Sequence, residues 1–244
     1  MLNEETIEKL IAMRLKGMAN GFREELERPN KGLSFEERFG MLVDREWTLR
    51  QERSLARRLK AAKLKQQACM EDIDYRTPRG LDRSLMRSFA TCQWIKAQHN
   101  MIITGPTGVG KSFIACALAN KACREGYTAY YVRTPRLFQE LSIARVDGSY
   151  LKLLNKLSNM NLLVIDDWGF SRLTATERKD FLEIIEDRCL KGSTLISSQL
   201  PVANWHEHIG DPTIADAVMD RLVHNAYKLE LKGASMRKRR SNLT

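Results

Sequence analysis

Residues 105–112 read GPTGVGKS and fit the phosphate-loop pattern GxxxxGK[ST] at every fixed position. Gly105 and Gly110 permit a tight loop, with Pro106, Thr107, Gly108 and Val109 completing it. Its backbone N–H groups and the N-terminus of the helix that follows cradle phosphate oxygens. Lys111 is then placed to contact the β- and γ-phosphates, and the Ser112 hydroxyl to bind Mg²⁺. Such a loop needs a carboxylate opposite it, delivered by the end of a neighbouring buried strand, to hold Mg²⁺ through its water shell. Residues 162–169, LLVIDDWG, supply one. Asp166 is expected as the metal-side acid, and Asp167, pointing differently, as the group that reaches the water attacking the γ-phosphate. ATP and Mg²⁺ are the expected ligands.

The elements that must hold these groups are legible as an alternation of apolar strands and helices: MIIT (101–104), a helix from Lys111 to about Glu125, TAYYV (128–132), a helix from about Pro135, LLVID (162–166), a helix at 175–190 and STLISS (193–198). That order implies an α/β fold, a parallel sheet flanked by helices. Upstream, Leu10, Met13, Leu15, Met18 and Phe22 recur near helical spacing, as do Phe35, Phe39, Leu42, Val43 and Trp47. Residues 27–34 read as a helix-to-helix turn, with Ser34 and Glu37 forming a capping box. The Pro, Gly and Asp of 71–84 mark a linker. The expected organisation is a basic helical domain over 1–70, a linker over 71–84 and a nucleotide-binding domain over 85–244 with a basic tail.

Of the 244 residues 43% are hydrophobic, enough for a packed core, and the formal charge is +10. The charge points toward a polyanionic partner. No apolar run approaches the roughly 18–20 residues that span a bilayer, and the first ten residues are polar and acidic, so a cytoplasmic protein without membrane contact is expected. Five cysteines without a CxxC pair, and His99, His206, His208 and His224 without acids or thiols at ligand spacing, indicate neither a disulfide framework nor a zinc site. Trp47, Trp94, Trp168 and Trp205 are expected to fill cores and interfaces.

With both motifs in hand, the chain resembles the AAA+ ATPases and, within them, the IstB-like transposition helpers, relatives of the bacterial replicative helicase loaders. The segments that carry the resemblance are LSFEERFGMLVDREW (33–47), IDYRTPRGLDRSL (73–85), ITGPTGVGKS (103–112), LLVIDDWG (162–169), SSQLPVANWHEHIGDPTIADAVMDRLVHNA (197–226) and LELKGASMRK (229–238). The resemblance implies that Gln199, after the last strand named above, senses the γ-phosphate, with Ser198 as the rival. It implies that Arg221 is an arginine finger for the nucleotide of an adjacent subunit; an ordinary surface pairing with Asp216 or Asp220 is the alternative. Arg237 falls near the second sensor, on a lid that looks truncated. Many relatives carry Glu where this chain has Asp167, shorter by one methylene, so modest hydrolysis that depends on assembly or DNA is expected.

The resemblance also implies an ATP-dependent oligomer on duplex DNA, with weak sequence preference, that helps a partner transposase. Two segments compete for the DNA phosphates. One is 45–65, within a stretch from Asp44 to Lys65 that holds eight basic and three acidic residues; the other is 133–152, with Arg133, Arg136, Arg145, Lys152 and Tyr150, and resemblance to initiator-type AAA+ proteins favours this second segment for the central DNA contact. The rival functions are a replicative helicase loader and a DNA scaffold switched by nucleotide.

Overall fold

The computed structural model describes residues 2–28 and 32–236. They fall into two units that divide between Arg57 and Arg58. The first holds α1 (Leu2–Ala12), α2 (Lys16–Glu27) and most of α3 (Phe35–Ala62), whose last residues belong to the second. The second continues with α4 (Arg83–Ala90), α5 (Gln93–Lys96), β1 (Asn100–Thr104), α6 (Lys111–Arg124), β2 (Ala129–Arg133), α7 (Thr134–Val146), α8 (Tyr150–Ser158), β3 (Leu162–Trp168), α9 (Ala175–Arg188), β4 (Ser193–Ser198), α10 (Trp205–Ile209), α11 (Pro212–Val223) and β5 (Ala226–Glu230).

In the first unit Ser34 and Glu37 form the capping box that starts α3: the Ser34 N–H donates to Glu37 Oε2 (2.8 Å) and the Glu37 N–H to Ser34 Oγ (3.2 Å). Twelve residues on from Ser34, Glu46 is buried and accepts the N–H of Gly17 (2.6 Å) and of Met18 (3.4 Å), a carboxylate at the start of α2 where the helix dipole favours it. The backbones approach so closely that a Cβ on Gly17 would stand 2.7 Å from Glu46 Cα. Trp47, expected in a core or interface, is 64% exposed on α3; Trp94, Trp168 and Trp205 are buried.

The second unit is a five-stranded parallel sheet in the order β2-β3-β4-β1-β5. The chain leaves β1 for the β2 edge through α6 and then returns strand by strand. Right-handed crossovers running in opposite directions place α6 on one face and α7 to α11 on the other. Residues alternate accordingly: Leu163, Ile165, Tyr130, Val132 and Ile196 join the core under Phe181, Trp168, Trp205 and Leu137. The intervening side chains, Val164, Tyr131, Leu195 and Asp166 among them, face α6. The edge strand β5, AYKLE, escaped the sequence reading because only Leu229 of its five residues is buried.

The boundary expected at 70 and the linker expected at 71–84 are corrected. The Arg58 guanidinium donates to Cys123 O (2.8 Å), the turn Met70–Asp72 packs against α6, and Arg79 is buried with its guanidinium donating to Val109 O (2.9 Å). The Asp and Pro that resemble a connector serve tight local structure; Asp82 caps α4 by accepting from Ser84 N (2.6 Å).

One buried cation closes the far end of the sheet. Arg188, 2% exposed, donates to the carbonyls of Leu157, Met160 and Ser193 and to Thr194 Oγ1, and burial brings its pKa down to about 10. Arg188→Met removes these hydrogen bonds at a buried site, at about 1–3 kcal/mol for each oxygen that finds no other donor. A loss of roughly 3 kcal/mol or more is expected in urea unfolding, read as a lower midpoint at unchanged slope.

Candidate functional site

Gly105 to Gly110 form the turn between the end of β1 and the start of α6. The Gly105 N–H donates to Ser198 O (3.2 Å) and the Leu231 N–H to Thr104 O (2.8 Å), so the loop is hung from both neighbours of β1. It packs so closely against Leu231 and Arg79 that side chains on Gly105 and Gly110 would collide with them. Gly105 sits at φ +147°, where a Cβ would stand 2.3 Å from Leu231 O; Gly110 sits at φ +106°, where a Cβ would stand 2.4 Å from Arg79 Nη1. Lys111 Nζ donates to Gly105 O (2.7 Å) and Pro106 O (2.9 Å), which holds the ammonium at the loop. The N–H groups of the first turn of α6 have no acceptor within their own helix. Backbone donors, a lysine and a tight loop fit a polyphosphate.

The acid side of the cleft comes from an irregularity in β3. Ile165 pairs with Ile196 and Trp168 with Ser198, so Asp166 and Asp167 together face the single residue Ser197. This is a β-bulge, and Asp167 at its crest adopts φ +61°, a left-handed conformation that Asp tolerates better than most residues. In a regular strand neighbouring side chains point to opposite faces. The bulge re-aims Asp167 so that it lines the same cleft as Lys111, Ser112, Thr107 and Gln199.

Asp166 has no exposed surface. Its Oδ2 accepts from Ser112 Oγ (2.7 Å) and Tyr131 OH (2.5 Å), its Oδ1 from Ser197 Oγ, and Lys65 Nζ lies 3.6 Å from Oδ2. Burial alone pushes its pKa up; the three hydroxyl donors, with the Lys65 charge, more than offset this and leave it below the ordinary carboxylate value. The ionised form is therefore favoured in the folded chain. Its contribution to stability is present above the unfolded pKa of 3.8 and is lost as pH falls through the lowered folded value. Tyr131 is driven the other way, its pKa raised by burial and then by its bond to Asp166. A buried anionic oxygen beside the Ser112 hydroxyl is the donor set a hard divalent cation takes.

Asp167 Oδ2 accepts from Arg133 Nε at 2.8 Å, and this pairing raises the Arg133 pKa. Gln199 faces the cleft and accepts from Thr107 Oγ1 through its Oε1 (2.6 Å), whereas Ser198 is buried, donating to Trp168 O (2.8 Å) and accepting from Leu200 N (2.9 Å). Of the two sensor rivals, Gln199 borders the site. Arg221 lies elsewhere. Its carbonyl accepts from Asn100 Nδ2 (3.1 Å), at the first residue of β1, while the phosphate loop follows the last; about 13 Å of strand separates them. Its guanidinium pairs with Glu186 (3.0 Å), and Asp216, one of the partners expected for it, pairs with His206. Arg237 lies outside the described residues.

The basic segment 133–152 is largely neutralised within the chain. Arg133 is held by Asp167 and Arg136 by Glu140 (3.1 Å); Arg145 is held by Asp180 and stacks 3.9 Å over Tyr150, whose hydroxyl donates to Asp180 and Glu183; Lys152 is exposed. On α3, Arg50 pairs with Glu46, and Arg53, Arg57 and Lys60 are exposed.

Sequence reasoning missed Tyr131, Ser197, Lys65 and Arg79. Ser197 left a signal, a hydroxyl residue in a strand otherwise read as buried. Tyr131 and Lys65 left none, because their roles depend on which strand neighbours β3 and where a loop returns.

The loop, the bulged strand with its acid pair and the sheet order define a P-loop NTPase of the AAA+ class. The solved structure of the DnaC helicase loader shares this fold, at 22% identity and a TM-score of 0.57, over 68% of this chain and 97% of that one. The chain belongs to the family described as IstB-like ATP binding protein, whose profile matches residues 8–244. It is 50% identical to a putative insertion sequence ATP-binding protein, y4pL, of Sinorhizobium fredii over 98% of both chains. It is 46% identical to the putative ATP-binding protein of insertion sequence IS1162 of Pseudomonas fluorescens, over 82% of this chain and 88% of that one.

The donors around Asp166 set its orientation, and groups of this kind commonly change metal affinity by 10- to 100-fold. Ser197→Ala is expected to weaken Mg²⁺-dependent binding of a fluorescent ATP analogue by about tenfold, roughly 1.4 kcal/mol, in equilibrium titrations, with binding in EDTA unchanged.

Proposed function

We propose that the protein is an ATP-hydrolysing helper of DNA transposition that assembles with ATP on duplex DNA, takes part in target selection and stimulates a partner transposase. The observation that carries the nucleotide chemistry is the 2.7 Å bond between the phosphate-loop hydroxyl Ser112 and the buried strand-end carboxylate Asp166. The transposition setting is supported by the extent of similarity to insertion-sequence ATP-binding proteins. A cytoplasmic location fits this role, and among the described residues no helix is long and apolar enough to cross a membrane.

On this reading the loop from Gly105 to Gly110 and Lys111 bind the phosphates, while Ser112 and Asp166 hold the metal ion. A bound Mg²⁺ would neutralise charge on the phosphate oxygens and orient the leaving group. Asp167, once released from Arg133, takes a proton from the attacking water, and Gln199 helps place that water. Arg221, at the far end of β1 from its own loop, serves the nucleotide of a neighbouring copy by stabilising transition-state charge. DNA phosphates meet the exposed cations of α3 more readily than the paired cations of 133–152, with strong salt dependence and little base preference.

Asp167→Asn should bind ATP with near wild-type affinity and lose at least about 100-fold in turnover; unchanged turnover would remove Asp167 from the proton-accepting role. Lys111→Ala and Arg221→Ala should each be inactive alone and recover turnover when mixed, since one retains the finger and the other the phosphate loop. Failure to recover in mixtures that still co-assemble would leave Arg221 as the structural partner of Glu186. Pull-down of a transposase is the expected partner result. Capture of a hexameric helicase would move the reading to helicase loading, and turnover indifferent to duplex DNA would move it to a nucleotide-switched scaffold.

A further inference from the structure

The ion pair between Lys65 and Asp166 has no part in the chemistry described above. Asp166 is fully buried, and Ser112, Tyr131 and Ser197 are neutral donors that bond its oxygens without cancelling its charge. Among the described residues, Lys65 is the cation that pairs with it, Nζ to Oδ2 at 3.6 Å. Lys111 is engaged by the carbonyls of Gly105 and Pro106. A buried carboxylate without a counter-charge is strongly unfavourable, so a cation at this position matters most when no metal is present.

The placement of Lys65 is built into the chain. It follows the end of α3, after Lys63 turns the backbone through φ +50°, and the short loop that carries it is pinned on either side by Ala62 and Ala68, both fully buried. Its side chain is 37% exposed and borders the same cleft as Ser112 and Lys111, so the ammonium can leave for water without disturbing the core. A lysine is a compact charge on a flexible stem, suited to such exchange.

We propose that Lys65 is the resident counter-cation of the metal-side acid: it neutralises Asp166 in the metal-free protein and competes with the divalent cation that arrives with nucleotide. This rests on the reading above, in which Asp166 and Ser112 hold that cation. Two positive charges at one carboxylate oxygen repel, so metal loading expels the Lys65 ammonium from Asp166. The apparent affinity for the metal is reduced by the fraction of molecules in which Lys65 has vacated the site.

The test uses the full chain with Lys65→Met, which keeps the stem and removes the charge, and Lys65→Gln as a second variant should the first not fold. Mg²⁺ is titrated into protein with a non-hydrolysable fluorescent ATP analogue, and thermal unfolding is followed in EDTA without nucleotide. The expected result is a half-saturating Mg²⁺ concentration lowered about 3- to 10-fold, together with a lower Tm in EDTA and an unchanged Tm with Mg²⁺ and nucleotide. An unchanged or raised Mg²⁺ requirement in a folded variant, with wild type still binding in a Mg²⁺-dependent way, overturns the role of Lys65 alone. Wild-type protein that binds no nucleotide, or binds it equally in EDTA, overturns the reading of the site and this inference with it.

Discussion

The structure of the larger unit turns on holding one carboxylate, with no exposed surface, among donors that favour its ionised form. Asp166 sits near the C-terminal end of β3, between β2 and β4, and isolated burial of such a charge is too costly for a fold of ordinary stability. Its donors come from three separate elements: Tyr131 on β2, Ser197 on β4 and Ser112 at the start of α6. Each arrives only if β3 is flanked by β2 and β4 and if α6 covers the matching face. The sheet order and the crossover direction are thus preconditions for the charge, and the charge in turn penalises any alternative register.

The bulge at 166–167 resolves a conflict between strand geometry and chemistry. Two acids in sequence on a regular strand would be delivered to opposite faces, one of them into the core beneath Trp168 and Phe181. One extra residue opposite Ser197 turns Asp167 back toward the cleft, at the cost of a left-handed backbone worth about 1 kcal/mol or more. Arg133, in register with Asp166 at the end of β2, then gives Asp167 a partner. Adjacent like charges coexist because each has its own set of donors.

What the sequence disclosed follows from how local each feature is. The phosphate loop is a contiguous string flanked by an apolar strand and a helix, and strands β1 to β4 are largely apolar runs, so both were legible. The edge strand β5 alternates exposed residues around a single buried Leu229 and carries no such run. The segment 71–84 has the composition of a linker, yet Arg79 buries its guanidinium against the phosphate loop, a contact between positions thirty residues apart that composition does not encode. Tyr131 and Lys65 belong to the same class: ordinary residues made significant by strand order and loop return.

Charge illustrates the same limit from the opposite side. A surplus of +10 reads as a polyanion-binding signal, but its distribution depends on pairing that only the fold decides. In 133–152 the arginines are spent on Asp167, Glu140 and Asp180, and the last of these, with Tyr150 and Glu183, ties the α7–α8 pair to α9. Those cations position elements, and releasing one to a phosphate would first cost its carboxylate partner. The exposed Arg53, Arg57 and Lys60 of α3 carry less of this cost, which is why that helical segment rather than 133–152 is the one proposed to meet DNA phosphates.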